Sequence, residues 1–88
     1  MLRIVSLTDG HGTATLVLEG QLIGPWVEEL RRVGDEALAS VGGLTLDLRG
    51  VTFIDRDGVE VVRSLAGRHA VITNSSLFVA EQLRATER

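Results

Sequence analysis

Apolar and polar positions change their period several times along the 88 residues, and each change marks an element. Leu2 to Thr8 and Thr13 to Glu19 are rich in β-branched residues, and the Asp9-Gly10-His11-Gly12 cluster between them is turn chemistry. They predict an opening hairpin. Beyond Gly24-Pro25, where proline suits a first helical turn, apolar residues recur at Trp26, Leu30, Val33, Ala37 and Val41, one face of an amphipathic helix. Gly42-Gly43 stops that helix, and Leu44, Leu46 and Leu48 then alternate with Thr45, Asp47 and Arg49 in a strand that continues past Gly50 through Ile54. A second helix is predicted to start at or beside Asp57 and to end near Gly67, on the apolar positions Val59, Val62, Leu65 and Ala66. Ala70 to Thr73 reads as a short buried strand, and Asn74-Ser75-Ser76 caps a last helix carrying Leu77, Val79, Ala80 and Leu83. The closing Thr86-Glu87-Arg88 is expected to fray.

The order β-β-α-β-α-β-α fills residues 1–88 as one α/β domain with a sheet that is parallel in part. Ligands of such sheets gather where strands feed helix N-termini, which directs attention to Phe53-Ile54-Asp55-Arg56-Asp57-Gly58.

Composition narrows the function. There is no cysteine, so disulfides and thiolate metal sites are excluded. No lysine occurs and the net charge is −3, which argues against a nucleic-acid partner. The Arg31-Arg32 pair follows Glu28 and Glu29 at the spacing of helix-surface ion pairs and is expected to be a solvated face. An acidic residue interrupts the N-terminus before a signal-peptide core accumulates, and no apolar run reaches membrane-spanning length, so a cytoplasmic protein without direct membrane insertion is expected.

At the second helix start, Asp57 is predicted as the cap, Glu60 as the far member of a capping box, and Asp55 as an acceptor for nearby backbone donors. The carboxylates Asp47, Asp55, Asp57 and Glu60 lack anything that completes a metal or proton-sharing site. His11 and His69 fall in a turn and at a helix end, with no Gly-x-Ser-x-Gly elbow and no phosphate loop. No enzyme activity, cofactor or metal is expected.

The stretch Leu44-Thr45-Leu46-Asp47-Leu48-Arg49-Gly50-Val51-Thr52-Phe53-Ile54-Asp55-Arg56-Asp57-Gly58 resembles the STAS family, the fold of anti-sigma factor antagonists. Leu18-Glu19-Gly20-Gln21-Leu22 resembles that family's strand-end glycine motif, and Val71-Ile72-Thr73-Asn74-Ser75-Ser76 its late strand and Asn-Pro-Ser turn. The resemblance implies a mixed sheet with helices mainly on one face, and a bacterial module that binds partner proteins and regulates transcription. In the antagonists a kinase phosphorylates the hydroxyl residue directly before the glycine; here that phospho-switch position is Asp57. Aspartate accepts no stable phosphoester of that type and carries a permanent charge instead, so loss of phospho-switching is expected. The family's other hydroxyl position is Arg56, and an acidic loop position is Ile23.

The partner-binding surface implied by the resemblance comprises Ile23, Asp47, Asp55, Arg56, Asp57 and Gly58, with Pro25 and Trp26 nearby. Trp26 by itself reads as core, since it opens the apolar helix face. The implied partner is an anti-sigma factor of the histidine-kinase-like type. Alternatives are the ATPase of a lipid-transport ABC transporter, to which small STAS proteins serve as accessory subunits, and a nucleotide. The chain is also short after Arg84 relative to the family, which leaves a sheet edge open to homodimer or partner pairing.

Overall fold

The computed structural model describes residues 1–10, 12–40 and 42–85. Its elements are β1 (Leu2–Thr8), β2 (Thr13–Leu22), α1 (Pro25–Ser40), β3 (Gly43–Ile54), α2 (Arg56–Gly67), β4 (Val71–Thr73) and α3 (Leu77–Ala85). This is the predicted order. His11, Val41 and the closing three residues, about which the sequence raised expectations, lie outside the described residues.

One four-stranded sheet has the order β1-β2-β3-β4. The hairpin pairs β1 with β2 antiparallel, whereas β2–β3 and β3–β4 are parallel, each joined through a helix. Strand alternation then sorts the side chains. Ala14, Leu16 and Leu18 of β2 stand beside Leu44, Leu46 and Leu48 of β3 on one face and are fully buried. They meet Val27 and Leu30 of α1, the valine-rich face of α2 and Val79 of α3 in a single aliphatic core. The opposite face carries Thr15, Val17, Thr45, Asp47 and Thr73, half-buried, and the helices lie on the apolar side. The β2–β3 register slips twice, between Val17 and Glu19 and between Gly20 and Gln21.

Two packing expectations are corrected. The buried face of α1 is Val27, Leu30 and Gly34, with Val33, Ala37 and Leu38 partly covered, while Trp26 is 36% exposed at the edge of β1. Leu30, Val33 and Ala37 keep the predicted side and Trp26 does not, while Gly34 joins the face as its close-contact point, where a Cβ would come within 2.9 Å of Leu65 on α2. On α3, Ser76 caps through its hydroxyl, which accepts from the Val79 N–H at 3.2 Å, and Val79 is buried, but Leu77 is 90% exposed.

Candidate functional site at the start of the second helix

Helix α2 begins at Arg56, so the residue in cap geometry is Asp55, whose φ of −93° and ψ of −179° are extended. Its Oδ1 accepts from the Gly58 N–H at 2.8 Å. Its other oxygen, Oδ2, accepts from the Gly24 N–H at 3.1 Å, across in the loop that opens α1. The Asp55 N–H in turn donates to the Leu22 carbonyl at 3.2 Å. One half-buried carboxylate therefore ties together the two loops at the C-terminal ends of β2 and β3.

The predicted cap at Asp57 and the Asp57–Glu60 box are accordingly corrected. A cap must lie outside the first helical turn, and Asp57 lies inside it, exposed to solvent. The third helical position, where a capping box needs glutamate or glutamine, is Gly58. The expectation that Asp55 satisfies backbone donors agrees with the structure. Gly58 is required for a different reason: a Cβ would stand 2.6 Å from the Leu22 carbonyl oxygen and 2.9 Å from Ile54 Cγ1. The helix start is pressed against the end of β2.

Of the six residues expected at the site, the structure joins Asp55 and Gly58 directly, with half-buried Ile23 beside Gly24 in the tied loop and Arg56 and Asp57 exposed on the first turn of α2. Asp47 stands apart in mid-β3, opposite Val17 and Thr73. Its Oδ1 accepts from the Arg49 N–H at 2.9 Å, and the Arg49 guanidinium lies 3.7 Å from its other oxygen. That backbone N–H holds the Asp47 carboxyl below its ordinary 3.8, helped by the Asn74 side chain and Arg49 and opposed by burial.

A feature not anticipated is an apolar patch beside the junction. The Phe53 and Phe78 rings meet at 5.7 Å between centroids, tilted by 31°. Both rings are more than 40% exposed, and the adjoining residue Leu77 is exposed as well. Hydropathy groups Leu77 with Val79, Ala80 and Leu83 on α3 and does not show that Leu77 lies outside the core. Among the described residues no cluster of three or more His, Asp or Glu could hold a metal ion, and no helix is long and apolar enough to cross a membrane.

A mixed sheet in this order, with its helices on one side and α2 opening beside the end of β2, is the STAS-like fold of anti-sigma factor antagonists. The antagonist SpoIIAA in its unphosphorylated form superposes with a TM-score of 0.72 at 20% identity, covering 93% of this chain and 82% of that one. The phosphorylated form of the Bacillus cell fate determinant SpoIIAA gives 0.71, also at 20% identity, over 96% and 83% of the chains. An anti-sigma factor antagonist from Mycobacterium paratuberculosis gives 0.75 at 15% identity, over 99% and 80%. No protein-family model and no curated protein sequence matches significantly.

Proposed function

We infer that the chain is a non-enzymatic interaction module that docks a regulatory protein, of the anti-sigma or histidine-kinase-like type, at the α2 start. The observation carrying this reading is the Asp55 tie, which joins two loops through one carboxylate while Arg56 and Asp57 remain exposed. Exposed arginine and aromatic side chains are common in interface hot spots, and Arg56, Phe53 and Phe78 are all exposed. Similarity to structures of anti-sigma factor antagonists supports a regulatory protein as the partner. Asp57 stands directly before Gly58 with one fixed negative charge at a helix N-terminus, so the surface works in a single charge state.

The test is recovery of partners from native lysate with the parent and with an Arg56→Glu, Asp57→Arg double variant whose melting temperature matches the parent. A regulatory protein held by the parent and lost by the variant is expected. Retention of every partner by the variant removes this surface from the reading, and recovery of a transporter ATPase instead overturns the regulatory assignment.

A further inference from the structure

The two edges of the sheet differ in length: β4 offers three residues, whereas β1, at the opposite edge, offers seven. The Met1 carbonyl accepts from the Gln21 N–H at 2.9 Å, and the Asp9 N–H donates to the Thr13 carbonyl at 3.2 Å. Backbone groups of an antiparallel strand alternate between partner and outside, so odd positions of β1 face β2 and those of Leu2, Ile4, Ser6 and Thr8 face outward. These outward groups run beside α1. Two depressions of about 430 and 300 Å³ lie end to end there, sharing Ser6 and Val33.

Chemistry of the lining decides what fits. Trp26 and Val33 supply an apolar wall, Glu29 and Glu36 are the charged members, and among the described residues no cation lines either depression. Arg32, which lines neither depression, pairs with both glutamates, leaving one negative charge in excess. A second copy pairing through its own β1 would present Leu2, Ile4, Ser6 and Thr8 to this wall and bring the two copies' Glu29 and Glu36 toward one seam. Charge complementarity favours a basic strand.

We propose that the β1–α1 groove binds an extended segment of a partner protein as a fifth strand, one with the alternation basic-x-apolar-x-basic. Glu29 and Glu36 are about 10.5 Å apart along the helix at 1.5 Å per residue. Strand positions four apart span about 13 Å, a difference that long basic side chains absorb. The residue between the two basic positions then meets Val33, which lies between the glutamates and joins the two depressions. Backbone pairing provides attachment, and the glutamates select the sequence.

The probe is the end-capped peptide Thr-Lys-Thr-Val-Thr-Lys-Thr, titrated against the full chain while following Trp26, its single tryptophan, and amide exchange in β1. Expected are a saturable blue shift of Trp26 emission, slowed exchange at Ile4 and Ser6, and about tenfold weaker binding when both lysines of the peptide are glutamate, a preference that salt reduces. Ser6→Pro removes an outward N–H without touching the β1–β2 ladder and should abolish binding. Should that variant fold poorly, Glu29→Lys with Glu36→Lys provides the second arm, in which the preference inverts toward the glutamate peptide. No spectral change up to millimolar peptide, equal binding of both peptides, or concentration-dependent dimerisation that protects Ile4 and Ser6 without peptide would each overturn the proposal.

Discussion

Asp55 concentrates more consequence than any other side chain near the candidate site, because both its oxygens accept backbone N–H groups from different loops. Replacing it with alanine removes a cap and leaves the Gly58 and Gly24 donors to water, so a loss of about 2 kcal/mol is expected in urea unfolding. Asp55→Asn should recover about half, since one amide oxygen still accepts from Gly58. Equal losses for the two variants would mean that the carboxylate acts by charge alone. Gly58→Ala brings a Cβ against the Leu22 carbonyl, a backbone atom that cannot swing aside, and overpacking of that kind costs about 1–3 kcal/mol. Alanine's better helix propensity returns at most about 1 kcal/mol, so a net decrease in stability is expected in urea unfolding. A Gly58→Ala chain as stable as the parent would refute the close contact. Asp47 makes an acid-limb prediction. Its folded carboxyl titrates below the ordinary 3.8, so the stability it contributes is fully present above that pH and is lost as pH falls through its lower folded value. Melting curves of Asp47→Asn should therefore lie below the parent at pH 7 and converge with it at the acid extreme. A constant offset across the range would show that Asp47 keeps no such linkage.

Elements were more legible than their faces. The alternation of Leu44, Leu46 and Leu48 identifies β3 and its buried side together, because a strand's period of two leaves no freedom of rotation. Helix α1 shows the opposite case. Pro25 and Gly42-Gly43 bracket it, yet its buried face includes Gly34 beneath Leu65, a steric fact that hydropathy does not carry. For α2 the start was legible but its cap was misplaced by two residues, since Asp55 and Asp57 are chemically equal as caps and only the end of β3 at Ile54 decides between them. The tie from Asp55 to Gly24 spans 31 residues of sequence, and no local pattern encodes it. The helix-surface ion pairs, by contrast, were readable from spacing: Arg31 meets Glu28 at 3.2 Å, and Arg32 meets both Glu29 and Glu36.

Across the whole molecule, burial is unevenly distributed, and resistance to opening should follow it. Strands β2 and β3 are paired on both sides and carry six fully or almost fully buried core residues in register. Strand β4 makes only three register pairs and has one neighbour. Helix α3 is anchored by buried Val79 and partly buried Leu83, with Leu77 and Phe78 outside. Local opening draws on segments with few buried apolar contacts, so native-state exchange should be slowest at Leu16, Leu18, Leu46 and Leu48 and markedly faster in β4 and α3. Val79→Ala should deepen this gradient, costing about 2 kcal/mol and accelerating α3 exchange before the β2–β3 core responds. Phe78→Ala removes a ring that is nearly half exposed and should leave the gradient almost unchanged while weakening partner recovery. If α3 and β3 instead exchanged at one common rate in the Val79→Ala chain, the last helix would belong to the same cooperative unit as the sheet. The Phe53–Phe78 patch would then be held as rigidly as the Asp55 tie beside it.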